Sequence, residues 1–180
     1  MKTLLILIWT CLIFVVGAFT VNAAGNELHI SVELTTGERS KDSGSETTTI
    51  TVERNVIVWE RTASGHRVSG GLPMMKKFRL SPTDKGNLLK LIRSNNLLVT
   101  DSIELPQDAS NFRYFEISVD LTLDEKKGTI SIGGPRTAVM VKEETLYQNS
   151  VALVKELFRI INSQDKSVQF EELILRPIRR

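Results

Sequence analysis

Apolar residues recur along this chain with two periods, and the switches between them set out the order of elements. Leu28, Ile30, Val32 and Leu34 alternate with polar residues and predict a first strand. Residues 47–53 and 56–62 predict two more, joined at Arg54-Asn55, where asparagine tolerates a left-handed conformation. Phe115, Ile117, Val119, Leu121 and Leu123 form the cleanest period-two run. A turn over residues 124–128 then leads to Ile130 and Ile132, so 112–133 reads as a hairpin with one buried face.

Between and after these strands the period lengthens to that of a helix. Ser81-Pro82-Thr83-Asp84 is a helix start: the serine caps, the proline gives up no bond in the first turn, and the aspartate suits the positive end of the dipole. Leu88, Leu89 and Ile92 then share a side, and Asn95-Asn96 ends the helix. A second helix begins near Glu143-Glu144, and its stripe of Tyr147, Val151, Val154, Phe158 and Ile161 faces the core. The order β-β-β-α-β-β-α predicts an α+β domain: an antiparallel sheet of about five strands with two helices packed on one face. Residues 35–49 are rich in Gly, Ser, Thr and charge, and predict a flexible hairpin loop over about 36–46. The segment from Val168 is a candidate C-terminal edge strand and ends in a basic tail, 176–180.

The first 23 residues follow a different pattern. Lys2 precedes an almost unbroken apolar stretch over 4–19, and Val21-Asn22-Ala23 places small residues at a secretory cleavage site. Residues 1–23 are therefore expected to be a signal peptide and 24–180 a single domain, exported to the periplasm or secreted. The apolar run from Leu4 to Val21 is 18 residues long, so retention as an N-terminal membrane anchor is the alternative. The one cysteine, Cys11, lies inside this segment, and no Asn-x-Ser/Thr sequon occurs. Both features fit a bacterial product better than a eukaryotic secreted one.

Charge and inventory then narrow the chemistry. Loss of Lys2 with the leader takes one of 23 basic residues from a balance against 21 acidic ones, so net charge falls from +2 to +1. That is too even for binding nucleic acid by neutralising phosphates. Only His29 and His66 could serve as histidine ligands or bases, so no zinc set with short spacing can be assembled and no metal or cofactor is expected. No Gly-x-Ser-x-Gly elbow is present, and Glu143-Glu144 and Glu171-Glu172 are adjacent rather than convergent pairs. Asp120 falls on the polar side of the long strand. No catalytic residue is assigned.

One constellation remains. Residues 65–79 hold His66, Arg67, Gly70, Gly71, Lys76, Lys77 and Arg79, and a second loop reads Gly133-Gly134-Pro135-Arg136. Glycine lets backbone N–H groups approach an anion, and Arg67, Lys76, Lys77 and Arg136 would neutralise it or meet an acidic partner. Solvated loops are the plainer reading of the same residues. Met74-Met75 is expected to tuck under the first helix.

The segments FRLSPTDKGNLLKLIRSNNLL (78–98) and FRYFEISVDLTLDEKKGTISIGG (112–134) together resemble an arrangement that recurs in small bacterial proteins of unknown function. More distantly, they resemble emfourin-type proteinaceous inhibitors of metalloproteases. That resemblance implies a non-catalytic module that binds a protein partner, a protease among the candidates. It covers about 90 residues and rests on a helix cap and a hairpin, so it carries no inhibitory residue across. The alternative reading is a small-ligand binder or enzyme using the two glycine loops.

Overall fold

The computed structural model describes residues 27–38, 44–64, 73–104, 113–135 and 145–168. They form β1 (Leu28–Glu38), β2 (Ser45–Glu53), β3 (Val56–Ser64), β4 (Met74–Arg79), α1 (Pro82–Ser94), β5 (Thr100–Glu104), β6 (Arg113–Leu123), β7 (Lys126–Pro135) and α2 (Thr145–Gln164). Among them, seven strands make one sheet in the order β4-β3-β2-β1-β6-β7-β5. All neighbours are antiparallel except β5 and β7, which are parallel. The α+β class holds, but the sheet is mixed and wider than the five antiparallel strands expected.

Register explains why one face is buried. Ile30 stands beside Val52 and Leu121, Val32 beside Ile50 and Val119, and Val119 in turn beside Ile130. Two adjacent rows of hydrocarbon therefore cross the sheet on one face, and all of these residues are buried. Leu88 and Ile92 of α1 and the stripe of α2 close over it, with Leu153, Leu157 and Ile160 widening that stripe. The opposite face carries the polar half of each alternation: Lys77, Val58, Thr51, Ser31, Asp120, Thr129 and Thr100 stand in one cross-strand row.

The helices run antiparallel to each other across the sheet. Asp84 at the start of α1 pairs with Arg159 at 2.6 Å, while Asn149 Nδ2 donates to the carbonyl of Asn95 at the other end. α2 is 20 residues long, or ~30 Å, and its last turn reaches β4, where Gln164 bonds Arg79. α1 starts as expected, with Ser81 Oγ accepting from the Asp84 N–H at 3.1 Å. It ends in a left-handed Asn96 (φ 49°), with the Leu97 and Asn96 N–H groups bonded back to the carbonyls of Ile92 and Arg93.

Four local expectations are corrected. Sequence periodicity misses β4 and β5 because both are edge strands with one apolar residue facing the core, Phe78 and Ile103 respectively, too few to show a period. Met74-Met75 accordingly does not tuck under a helix: both lie on β4, 46% and 60% exposed. The loop over 36–46 is shorter than its composition suggests, since Thr36 pairs with Glu46 and Gly37 with Ser45 in the ladder. Threonine is a good strand residue, and the Thr35 and Thr47 hydroxyls meet across the pair at 3.1 Å.

The turns also shift. Arg54, not Asn55, takes the left-handed conformation (φ 56°) between β2 and β3. Asp124 and Glu125 (φ 49° and 69°) turn the chain between β6 and β7, so Gly128 is not a turn residue but the third position of β7. Its missing side chain serves a close approach: a Cβ there would lie 2.8 Å from Leu97 O, Leu98 Cα and Val99 N, where the chain leaves α1 for β5. The expected signal peptide at 1–23, the tail at 176–180 and the candidate edge strand after Val168 fall outside the described residues.

Candidate functional site

β4 is an edge strand, and its backbone shows which groups the sheet leaves over. Leu80 N–H donates to the carbonyl of Asn55 at 2.9 Å, on the β3 side. Arg79 points the other way. Its N–H donates to Gln164 Oε1 at 3.0 Å, and its carbonyl accepts from Gln164 Nε2 at 2.9 Å. Antiparallel ladders alternate, so Phe78, Lys76 and Met74 bond β3 while Lys77 and Met75 direct both backbone groups outward. The carboxamide of Gln164 thus occupies the position a next strand would take at Arg79 and stops there. Lys77 and Met75 have no backbone partner among the described residues.

The other edge is closed differently. The Val99 carbonyl accepts from Thr129 N–H, which turns Ser102 of β5 outward, and the Ser102 N–H is taken by Asp101 Oδ1 at 2.8 Å. A carboxylate on its own edge donor blunts β5 against strand addition. Of the two edges, β4 is the receptive one. Its polar-face side chains are Met75, Lys77 and Arg79, bordered by Val58 and by Val56, which is 43% exposed.

Lys76 points to the helix side, where its Nζ donates to Asp165 Oδ2 at 2.7 Å and Ser167 Oγ at 2.9 Å. This pair ties the end of α2 to the sheet edge. The hydrogen bond from Lys76, then those from Ser167, hold the Asp165 carboxyl down at about 2. A carboxyl lowered by folding adds stability above its unfolded value of about 3.9 and loses it as pH falls towards 2. Wild type and Asp165→Asn should therefore differ in denaturant midpoint near neutral pH and converge between about pH 4 and pH 2. A difference that persists at pH 2 would show that the carboxylate charge is not what matters there.

A second polar cluster is structural. Arg159 bridges Glu156 and Asp84, and Asp84 also accepts from the Ser81 hydroxyl at 2.6 Å. The Ser81 hydroxyl first, then Arg159, lower the Asp84 carboxyl. The hydrogen bonds that Arg159 donates to Glu156 first, then to Asp84, raise its guanidinium. Together they clasp the two helices.

Of the four residues expected to meet an anion or acidic partner, Lys76 and Lys77 are neighbours on β4 with side chains on opposite faces. Arg67 and Arg136 lie outside the described residues, as does His66. Much of the supposed loop pair is strand: 74–79 is β4, and Gly133 to Pro135 belong to β7. Lys77 and Gly133 stand five strand positions apart in the sheet order, roughly 24 Å. The described parts of the two segments are not brought together. Asp120 is exposed and accepts from Thr129 Oγ1 at 2.9 Å, and His29 sits on the polar face. Among the described residues no group of three or more His, Cys, Asp or Glu is placed to hold a metal ion. No described helix is long and apolar enough to cross a membrane.

Sequence reading missed the two features that define this edge. Gln164 lies just past the apolar stripe of α2 and has no local signature, because its partner is 85 residues away. The outward register of Lys77 and Met75 follows only once β4 is recognised as a strand. No protein-family model matches the chain, and no curated protein is significantly similar to it.

Proposed function

We propose that the protein is a non-catalytic binding module of the bacterial envelope or secreted fraction, which holds a protein partner along β4. The observation that carries this reading is the half-open edge. Two consecutive outward-facing positions, Met75 and Lys77, offer backbone groups unpaired among the described residues, beside exposed methionine, while Gln164 and Asp101 occupy comparable groups elsewhere. A row of free donors and acceptors is a template for an added strand. The N-terminal apolar segment and its Val-x-Ala site support the location. The resemblance to emfourin-type inhibitors would make a metalloprotease one such partner.

Lys77→Pro tests it. Proline there removes an N–H that points away from β3, so the β3–β4 ladder keeps its bonds. A tagged chain recovered from its native envelope and secreted fractions should bring down proteins that Lys77→Pro, melting like wild type, does not. Identical sets for the two chains, or no retained protein, would overturn the reading.

A further inference from the structure

We infer that the β4 edge selects an extended segment reading acidic-x-apolar from N- to C-terminus, added antiparallel, with the acidic residue opposite Lys77 and the apolar one opposite Met75. This rests on the proposed function and names the chemistry of its partner. The register comes from the cap. Because the Gln164 carboxamide fills the edge at Arg79, an incoming strand can use only the groups from Lys77 back to Met75. A residue opposite an outward-facing position exchanges both backbone bonds with it and sends its side chain to the same face.

On that face the Lys77 side chain is exposed and has no ion pair among the described residues, while Lys76 on the other face is bound to Asp165 and Ser167. An acidic side chain beside Lys77 is therefore favoured, with Arg79 next along the strand adding to the same field. Met75, 60% exposed, offers a soft apolar contact two residues on. The middle residue of the triplet points to the Lys76 side, where the ammonium is already matched, so that position is not selected by charge. An antiparallel strand meets Lys77 before Met75, which sets the order acidic, any, apolar. A second copy of this chain is a poor occupant. Two β4 edges paired about Lys76 would set each Lys77 against a Met75 and bring two basic strands together.

The probes are two fluorescein-labelled peptides of the same composition, one carrying Glu-x-Leu in a run of Thr and Ser, the other its reversed sequence, titrated against the full chain by fluorescence polarisation. The forward peptide should bind at least about tenfold tighter, a difference of about 1.4 kcal/mol. Lys77→Pro should abolish that binding. Lys77→Glu, an exposed change that leaves the core untouched, should transfer preference to a Lys-x-Leu peptide. Equal binding of forward and reversed peptides, or none, would overturn the inference while leaving the partner capture by the native fractions to stand or fall separately. Forward binding unchanged in Lys77→Pro would also overturn it. So would a wild-type dimer that Lys77→Pro dissociates, which would give the edge to a second copy. The chain's own Glu171-Glu172-Leu173-Ile174 contains the same order. Tighter peptide binding by a Leu173→Ser, Ile174→Ser variant would assign the edge to that segment instead of a partner.

Discussion

Val119→Asp should leave no cooperatively melting protein. Val119 is fully buried on β6, in the middle of the sheet, with Val32 on one side and Ile130 on the other. A carboxylate at that point has no cation within the hydrocarbon row and no route to water between the strands and the helices above. Burying an unpaired charge is among the few single changes that cost more than about 4 kcal/mol. A domain of this size has a total of roughly 5–15 kcal/mol to lose. Trp59, the one tryptophan among the described residues, is 5% exposed on the same face, so its emission should shift red and its thermal transition vanish. A soluble variant with a sharp melt would mean that the helices do not cover this face. Thr122→Asp, on the polar face of the same strand, is the control and should melt like wild type.

Gly128→Ala is the second large effect, and the reading of Gly128 as a turn residue gives no hint of its cause. In the structure its Cβ would fall 2.8 Å from three backbone atoms of residues 97–99, and backbone cannot swing aside as a side chain does. Either the connection from α1 to β5 lifts, taking buried Leu97 with it, or β7 bends. Overpacking of this kind costs about 3 kcal/mol, which lowers Tm by about 6–12 °C in a domain of this length. Gly86→Ala gives the contrast. Gly86 is exposed in α1, and an added methyl would find nothing within 4 Å, so alanine there should raise stability by about 0.5–1 kcal/mol through helix propensity. If both glycines tolerate alanine equally, the close approach at Gly128 is wrong.

Legibility followed the strength of local signals. The stripe from Tyr147 to Ile161 and the alternation from Phe115 to Leu123 each bury five residues of one segment, and the structure places all ten in the core. Ser81 and Asn95-Asn96 mark the ends of α1 because caps are local chemistry between residues a few positions apart. What stayed hidden depends on distant residues. β4 and β5 bury too little of themselves to show a period. Gly128 is glycine on account of residues 97–99, some thirty positions earlier, and Gln164 acts on Arg79 from the far end of the chain. The candidate edge was half legible: the cluster of Lys76, Lys77 and Met75 stands out in sequence as basic and soft, but its strand geometry does not. Lys76 and Lys77 look equivalent in sequence, and only the pleat divides them between an ion pair and an open face.

β1 is bonded on both sides, to β2 along one flank and to β6 along the other, with Leu28 opposite Leu123. The strand nearest the N-terminus is thus the hinge of the whole sheet, and the apolar face cannot be completed until nearly a hundred further residues have been synthesised. Pairings of such long range form late and slowly. During synthesis the chain should remain pliable until β6 clears the ribosome, with α1 alone available to cover the meander of β1 to β4 and α2 still to come. Folding thus finishes only after most of the length has emerged.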